Sequence, residues 1–393
     1  MIVGVVKETF PGERRVALVP DIVPPLKKKG FEAVIETGAG LSAGYPDEAY
    51  EAKGATILGS RKEVFDKADI IAQVRTYGAN PDEGKADLDL MREGQIVVGA
   101  SEPLSRPDLM QEMAKKGINL FGLELIPRTT RAQSMDILSS MATVAGYRAS
   151  LWGAEHLPKF FPMFMTAAGT VAPSKVFILG AGVAGLQAIA TAKRLGAIVS
   201  AYDVRPAVKE ECESLGAKFV EMELESGEGE GGYAAQKDEA FYEKQRQLML
   251  KVVADSDVVI TTAAVPGRKA PILVTEEMVK GMAPGSVIID LAAERGGNCE
   301  LTKVDEIVEA HGVKIVGPSN VPSTLPFHAS QMYSKNVFNF LVNMLTKVRG
   351  EEPKFDLEQE DDIIEGTWTT KGGEVVHAMV KEALAPKEGG QAS

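Results

Sequence analysis

The amino-acid sequence predicts an α/β protein with two doubly wound, Rossmann-like domains whose sheets are mostly parallel. Two observations support this fold class. Short runs of β-branched residues alternate with helical stretches in two series, over residues 2–123 and 176–316, and such alternation favours a parallel sheet covered on both faces. The length of 393 residues also exceeds what one hydrophobic core usually holds, so two domains are expected.

The first series contains five predicted strands, at residues 2–6, 33–36, 70–74, 96–99 and 118–123. A helix over 21–29 is predicted to end at Gly30, and a helical stretch over about 132–157 is long enough to connect two domains. Near the end of the chain, short strands are predicted at 355–357, 363–370 and 374–377, with a turn at 371–373. We therefore expect a first domain of residues 1–138 and 327–393, with a second domain, 139–326, inserted in it.

Composition excludes several functional classes. The chain has 43 Lys and Arg against 55 Asp and Glu, a net charge of −12, which disfavours binding to nucleic acid or to an anionic membrane surface. Its two cysteines, Cys212 and Cys299, suit neither a disulfide framework nor a zinc site and indicate a reducing compartment. The longest uncharged stretch, 160–174, contains two prolines and is too short to cross a bilayer. We expect a soluble, cytoplasmic protein without a signal peptide, a bound metal or a membrane segment.

The second series opens with a dinucleotide-binding pattern. A strand at 175–179 is followed by Gly180, Ala181, Gly182, Val183, Ala184 and Gly185, and then by a helical run to Leu195. The first glycine permits a tight turn, the second lets the backbone approach a pyrophosphate, and the third lets helix and strand pack closely. The helix N-terminus offers free N–H groups to the phosphates. A glycine-rich turn without a ligand is the alternative.

An acidic residue completes this pattern and indicates which nucleotide is bound. The next strand, 198–202, ends in Asp203, which lies 18 residues after Gly185. A carboxylate there accepts hydrogen bonds from ribose hydroxyls and repels a 2′-phosphate, so NAD is favoured over NADP. The nearby Arg205 weakens this preference, because an arginine can accommodate the phosphate.

Two later strands are predicted to end beside the same site. Thr262, Ala263 and Ala264 follow one strand, and Asp290 closes the next. Ligands of open α/β sheets lie at the carboxyl ends of the strands, so these residues are expected to flank the nicotinamide half. For Asp290, capping of the following turn is an equally good interpretation.

A polar segment, residues 127–140, follows a strand of the first series. If the long helix begins at about residue 132, then Gln133, Asp136 and Ser140 share one of its faces, and Arg128 can pair with Asp136. A binding role and a role in helix capping with a surface ion pair remain equally open. No histidine is an obvious general base: His156, His311 and His377 are interpreted as structural or surface residues, and only His328 is kept as a weak candidate.

A glycine- and glutamate-rich segment, 221–237, interrupts the second series. Its composition cannot bury much apolar area, so a mobile loop is expected. A tolerated surface insertion and a loop that closes over the site are both consistent with this composition. The small, polar tail after residue 385 is expected to be disordered.

Three strings of residues closely resemble the NAD(H)-binding subunit of proton-translocating transhydrogenase: Arg-Ala-Gln-Ser-Met-Asp at 131–136, Met-Thr-Ala-Ala-Gly-Thr at 165–170, and the glycine motif through residue 196. The resemblance extends along essentially the whole chain, including Gly232 and Tyr233 in the glycine- and glutamate-rich segment 221–237. It implies direct, Re/Si-specific hydride transfer between NAD(H) here and NADP(H) on a partner beta subunit. Membrane-spanning subunits would couple this transfer to proton translocation.

The same resemblance implies a homodimer that is peripheral to the inner membrane through its partner subunits. It also implies that the loop around Tyr233 closes over a site in the cleft between the domains, although Lys237 stands where the family has a methionine. The residues that it places around the nicotinamide are Arg128, Gln133, Asp136, Ser139 and Tyr147. The cofactor-binding candidates are Gly180 to Gly185 in full, Asp203, Val204, Arg205, Gly232, Tyr233, Thr262, Ala263 and Ala264.

Alanine dehydrogenase is the nearest alternative with this fold. Its substrate-binding arginine is matched by Arg15, but its lysine is replaced by Arg75, and residues 99–102 contain no histidine. An arginine is not deprotonated in proteins and cannot act as a base, whereas hydride transfer between two nicotinamides needs no base. A non-catalytic NAD-sensing module is a third possibility, for which the cluster around Gln133 would be unnecessary.

Overall fold

The computed structural model describes residues 1–221, 239–263, 269–346 and 354–385. The chain forms two compact units, the first of Met1–Met141 with Pro322–Ser393 and the second of Ala142–Val321. Three predictions concern residues outside these ranges: those for the glycine- and glutamate-rich segment beyond residue 221, for Ala264 and for the tail after residue 385.

The strands, in chain order, are β1 (Ile2–Val5), β2 (Glu32–Glu36), β3 (Thr56–Leu58), β4 (Ile70–Arg75), β5 (Ile96–Ala100), β6 (Asn119–Gly122), β7 (Phe164–Thr166), β8 (Gly169–Val171), β9 (Lys175–Leu179), β10 (Ile198–Tyr202), β11 (Lys218–Phe219), β12 (Val258–Thr261), β13 (Val287–Asp290), β14 (Ile307–Ala310), β15 (Val313–Val316), β16 (Trp368–Lys371) and β17 (Glu374–Val375).

The α-helices are α1 (Val23–Lys28), α2 (Asp47–Ala52), α3 (Arg61–Lys67), α4 (Lys85–Leu90), α5 (Pro107–Lys115), α6 (Ile137–His156), α7 (Val183–Arg194), α8 (Lys209–Ser214), α9 (Glu239–Ala254), α10 (Glu276–Gly281), α11 (Pro326–Asn343), α12 (Asp362–Thr367) and α13 (Ala378–Leu384).

The first unit is built on an eight-stranded sheet in the order β17-β16-β6-β5-β4-β1-β2-β3. Its strands from β6 to β3 are parallel, and β16 and β17 add an antiparallel edge. Both faces are buried: in β4, Ile70, Ala72 and Val74 pack into one core cluster while Ile71 packs into the other. This two-sided burial explains why the strands are almost continuously apolar in the sequence.

The second unit contains a seven-stranded sheet in the order β11-β10-β9-β12-β13-β15-β14. All neighbours are parallel except the edge pair β14 and β15. In β9, Val176 and Ile178 face one core cluster, while Phe177 and Leu179 face the other. The chain order reverses on either side of β9, which is where open α/β sheets place their ligands. The two sheets confirm the predicted fold class.

The predicted strand at 363–370 is wrong over its first half, because residues 362–367 form helix α12. The Asp361 carboxylate caps this helix and accepts hydrogen bonds from the N–H groups of Ile363 (2.9 Å) and Ile364 (3.2 Å). An N-terminal cap of this kind outweighs the β-branched pattern of the segment. The predicted strand at 355–357 is reduced to one isolated bridge between Phe355 and Leu345.

The turn predicted at 371–373 joins β16 to β17. Gly372 and Gly373 both have positive φ angles, 57° and 90°, as a two-residue hairpin turn requires. Among the residues that the structure describes, no helix has both the length and the hydrophobicity needed to cross a membrane.

A buried carboxyl group lies just beyond the carboxyl end of β6. Glu124 Oε1 accepts hydrogen bonds from the N–H groups of Ser101 and Glu102, both at 2.7 Å. Its Oε2 atom is buried and has no hydrogen-bond partner within the described residues. Burial raises the pKa of this group to about 7, which is the direction expected when the charged form loses its hydration.

We expect Glu124→Gln to remove part of the pH dependence of folding. A carboxyl group with a pKa of about 7 in the folded chain and an ordinary value when unfolded binds its proton more tightly in the folded state. Its stabilising contribution is therefore complete at low pH and is lost as the pH rises towards 7. The loss amounts to about 3 kcal/mol at most.

The amide of the variant supplies the same oxygen to the two N–H groups and does not ionise. Urea unfolding at pH 5, 6, 7 and 8 measures the effect, with the exposed Glu93→Gln as the control. As the pH rises, the free energy of unfolding of the variant should increase relative to that of the parent. An identical pH dependence of the unfolding free energy in the two chains would contradict a raised pKa of Glu124.

Candidate functional site

The glycine turn of the second unit depends on two backbone constraints. Gly180 follows β9 with a φ of +98°, a conformation that L side chains rarely adopt. Its carbonyl oxygen lies 1.8 Å from where a Cβ atom on Gly185 would stand. Both positions therefore need glycine for the turn between β9 and α7 to form.

Gly182 has a different role in the same turn. A Cβ atom added there meets nothing within 4 Å, so internal packing does not explain this glycine. Gly182 is the N-cap residue of α7, which has no side-chain cap. The first N–H groups of a helix need partners, and an uncapped N-terminus beside open space is suited to an anion such as a phosphate.

Asp203 lies beside this turn, at the end of β10, and its side chain is 7% exposed. Its Oδ2 accepts hydrogen bonds from Ala181 N (2.8 Å) and Arg205 Nη2 (3.0 Å). Its Oδ1 accepts from Arg205 N and Arg205 Nε, both at 2.9 Å. Burial opposes ionisation, but these donors hold the pKa of Asp203 below its ordinary value. Val204, between the two residues, is 77% exposed.

The end of β12 supports the glycine turn through Thr262, whose hydroxyl donates to Gly180 O at 3.0 Å. The next residue, Ala263, is held by Asn298, which accepts from Ala263 N (3.0 Å) and donates to Ala263 O (2.8 Å). Asn298 is a residue of the candidate site that the sequence pattern does not indicate. Its partner is 35 residues away along the chain, and no local pattern marks it.

Asp290 is fully buried and accepts hydrogen bonds from five donors at 2.7–3.0 Å: Thr261 Oγ1, Ala292 N, Asn298 N, Cys299 N and Thr302 Oγ1. These donors leave little capacity for an external ligand, since a carboxylate has about four acceptor positions. Of the two interpretations left open for Asp290, the structure favours the capping role.

In the first unit, the expectation that Gln133, Asp136 and Ser140 share one helix face is wrong. Gln133 begins a short 3₁₀ turn, Asp136 is extended with a ψ of 100°, and α6 begins only at Ile137. The Asp136 carboxylate caps that helix by accepting from Ser139 N (2.9 Å) and Ser139 Oγ (2.5 Å). A side chain used as a cap fixes the backbone outside the helix.

The expected ion pair between Arg128 and Asp136 is absent from the described part of the chain. Arg128 and Gln133 are both exposed, and within the described residues neither side chain has a hydrogen-bond partner. Tyr147, on α6 and assigned to the second unit, is 42% exposed. The remaining candidates, Gly232 and Tyr233, lie outside the described residues.

The two arginines compared with alanine dehydrogenase both bind one internal carboxylate. Arg15 is 7% exposed and forms a two-point contact with Glu13, Nε to Oε1 at 2.7 Å and Nη2 to Oε2 at 2.6 Å. Arg75 Nε also contacts Glu13 Oε2 at 3.2 Å, and its guanidinium lies 4.2 Å from the Phe10 ring centroid. These contacts hold the pKa of Glu13 low, at about 2, although burial opposes its ionisation.

Each of the four histidines has its own local surroundings. His156 ends α6, and His311 is paired at 2.9 Å with Glu276. His328 is exposed in the first turn of α11, with its ring against Phe327. His377 is partly buried, and burial lowers its pKa. Over the described ranges, no group of three His, Cys, Asp or Glu side chains is arranged to hold a metal ion.

The chain is similar to known proteins over most of its length. The alanine dehydrogenase/PNT N-terminal domain family matches residues 4–145, and the corresponding C-terminal domain family matches residues 149–378. An NAD(P) transhydrogenase alpha-subunit protein of Rhodospirillum rubrum is 46% identical over 380 residues, covering 96% of this chain and 98% of that protein.

A crystal structure of transhydrogenase from Sinorhizobium meliloti superposes with a TM-score of 0.82 at 42% identity, covering 96% of this chain and 99% of that one. Alanine dehydrogenase of Bacillus subtilis is 33% identical over 344 residues, covering 83% of this chain and 81% of that protein.

The contrast between two glycines yields a prediction. We expect Gly182→Ala to leave the melting temperature within about 2 °C of the parent, because the new methyl group enters open space. The same substitution should weaken NADH binding by about tenfold or more, because the methyl group lies beside the helix N-terminus. Gly185→Ala should lower the melting temperature, because its methyl collides with Gly180 O. Thermal unfolding and calorimetric titration with NADH measure both effects. A Gly182→Ala chain that binds NADH like the parent would contradict this placement of the phosphates.

Proposed function

The chain belongs to the alanine dehydrogenase/PNT family, and from this premise we propose that it is the NAD(H)-binding subunit of a proton-translocating transhydrogenase. In this proposal a hydride passes directly, with Re/Si specificity, between NAD(H) on this chain and NADP(H) on a partner beta subunit. The observation that carries it is a complete dinucleotide turn in a chain whose Arg75 and residues 99–102 lack the acid–base groups of alanine dehydrogenase. Proton abstraction from an amino acid needs such a group, and transfer between nicotinamides does not.

The second unit offers contacts for each part of NAD(H). The open space at Gly182 and the uncapped N-terminus of α7 suit the pyrophosphate. Asp203 suits the adenosine ribose once the ribose hydroxyls displace the Arg205 guanidinium from it, and Val204 lies beside it. We assign Thr262 and Ala263, at the end of β12, to the nicotinamide half, and Gly232, Tyr233 and Ala264 complete the proposed set.

The proposed roles in the first unit follow from which side chains are already engaged. Asp136 and Ser139 contact each other, so their part is to fix the start of α6. Arg128 and Gln133 are exposed and remain available to the ring carboxamide or to the incoming nucleotide. A neutral amide can donate to one group and accept from another, so Gln133 can bridge two partners. Tyr147 is the remaining candidate at the ring.

Two rival functions have less support. An amino-acid oxidoreductase needs a cation for the substrate carboxylate, and here Arg15 and Arg75 both bind Glu13. Steady NADH formation from alanine and NAD⁺ by the purified chain would nevertheless favour it. A non-catalytic NAD sensor does not need the exposed side chains of Arg128 and Gln133.

The proposed assembly follows from the similarity to named transhydrogenase alpha subunits. We infer a homodimer in the cytoplasm that is peripheral to the inner membrane. It would meet an NADP(H)-binding beta subunit and a membrane-spanning subunit that couples transfer to proton translocation.

Mixing this chain with an NADP(H)-binding partner subunit tests the proposal directly. The parent should reduce an oxidised NAD analogue at the expense of NADPH. Gln133→Asn keeps the amide but shortens its reach, so NADH affinity should stay within about threefold while transfer falls about tenfold or more.

Gln111→Asn, an exposed amide on α5, is the matched control and should transfer hydride like the parent. No transfer by the parent would refute the proposed function. Parental rates in Gln133→Asn would show that Gln133 is only a surface residue.

Nucleotide choice gives an independent prediction. We expect NADH to bind at least about tenfold more tightly than NADPH, because hydrogen bonds to a charged group contribute about 1.5–3 kcal/mol and the same charge repels a 2′-phosphate. Asp203→Asn keeps an acceptor for Ala181 N but removes the charge, so the discrimination should shrink. Calorimetric titration with both nucleotides measures it, and equal affinities in the parent would remove the role assigned to Asp203.

A further inference from the structure

The segment that carries Arg128 and Gln133 is tied to the C-terminal part of the first unit by Arg131. Arg131 Nη1 contacts Asp361 Oδ2 at 2.5 Å and Asn343 Oδ1 at 3.3 Å, and Arg131 Nη2 contacts Asp362. Asp361 also accepts from Asn343 Nδ2 at 3.1 Å and caps α12. One guanidinium therefore links the segment to both α11 and the start of α12.

A second tie lies three residues further along. The carbonyl oxygen of Ser134 accepts hydrogen bonds from Asn336 Nδ2 and Asn339 Nδ2, both at 2.9 Å. These asparagines are one turn apart on α11 and so project from the same side of the helix. A carbonyl has two lone pairs, and here both are used to hold the backbone immediately after Gln133.

The segment is also held by packing against the core and by a helix cap at its C-terminal end. Ala132 and Met135 are buried in the core of the first unit, and the contact between Asp136 and Ser139 sets the start of α6. Arg128 and Gln133, by contrast, have no side-chain partner in the described part of the chain. The backbone is thus restrained at several points, while these two side chains are exposed.

We propose that Arg131, Asn336 and Asn339 are positioning residues for hydride transfer. They act through the backbone of residues 131–136 and hold Gln133 where it orients the nicotinamides. The inference rests on the proposed function. Arg131 is 44% exposed but its partner Asp361 is only 11% exposed, so this contact both stabilises the fold and fixes the position of the segment. A misplacement of the reacting groups by about 1 Å can lower the rate of an enzymatic step about 100-fold, so hydride transfer benefits from a segment held at several points.

Arg131→Lys tests the proposal because it keeps the charge but cannot contact Asp361, Asp362 and Asn343 together. We expect the transfer rate in the reconstituted complex to fall about tenfold or more, on the same positioning argument, with the dissociation constant for NADH within about twofold of the parent. The kinetic isotope effect with NADPH deuterated at the transferred position should rise, because the hydride step becomes more rate-limiting. A purely structural contact would not change the isotope effect.

The matched control is Arg106→Lys. Arg106 is an exposed arginine of the same unit that forms a two-point contact with Asp108, and its variant should leave rate and isotope effect unchanged. Asn339→Ala, at a half-buried position of α11, removes one of the two donors to Ser134 O and leaves the other in place. It should reproduce the effect of Arg131→Lys in weaker form. Parental rates and isotope effects in both variants would overturn the proposal.

Amide hydrogen exchange separates failure of this inference from failure of the proposed function. The N–H groups of residues 131–136 should exchange faster in Arg131→Lys and Asn339→Ala than in the parent, whether or not hydride transfer is found. Unchanged exchange refutes the restraint itself. If exchange is faster in the variants but neither the parent nor the variants transfer hydride, the restraint on the segment is confirmed. Its role in catalysis and the proposed function are then both refuted.

Discussion

Asp290 is a fully buried carboxylate, and the candidate site of the second unit depends on the donors that it collects. It binds the backbone of Asn298, whose side chain in turn binds both backbone groups of Ala263. Thr262, next to Ala263, donates to the carbonyl of Gly180. The glycine turn is thus the last member of a series of hydrogen bonds that begins in the core. A buried charge left without its partners is strongly destabilising, so this arrangement has little freedom to vary.

The residues at the carboxyl ends of the strands differ between the two units. In the second unit, the strand ends surround a helix N-terminus that no side chain caps and a glycine beside open space. In the first unit, charged groups at the equivalent edge satisfy one another, with Glu13 held between Arg15 and Arg75. The first unit instead presents a restrained surface segment, residues 128–136. Similar topologies therefore leave an uncapped helix N-terminus beside a glycine in one unit and a restrained surface segment in the other.

The parts of the site that depend on neighbouring residues could be predicted from the sequence. The strand, the glycine turn and Asp203 lie within one βαβ unit, and each has a local physical reason. Contacts between residues that are distant in the sequence were not predictable. Arg131 contacts Asp361, 230 residues further along the chain, and no local pattern indicates the contact of Asn298 with Ala263. Competition between local signals caused the remaining errors. The β-branched residues after Asp361 suggested a strand, and the polar residues around Asp136 suggested an earlier helix start, but in both places an aspartate cap determined the backbone.

The contact between Arg205 and Asp203 has a consequence for affinity. All four acceptor positions of the Asp203 carboxylate are taken by donors of the chain, three of them from Arg205. A ribose that uses this carboxylate must displace the guanidinium, so binding is an exchange of partners rather than an addition. Arg205 would then compete with the ribose for Asp203, and this competition would depend on ionic strength, because the Arg205 side chain is 57% exposed and salt screens exposed charges. Affinities measured in dilute buffer and at physiological salt therefore report two different balances between the same competitors.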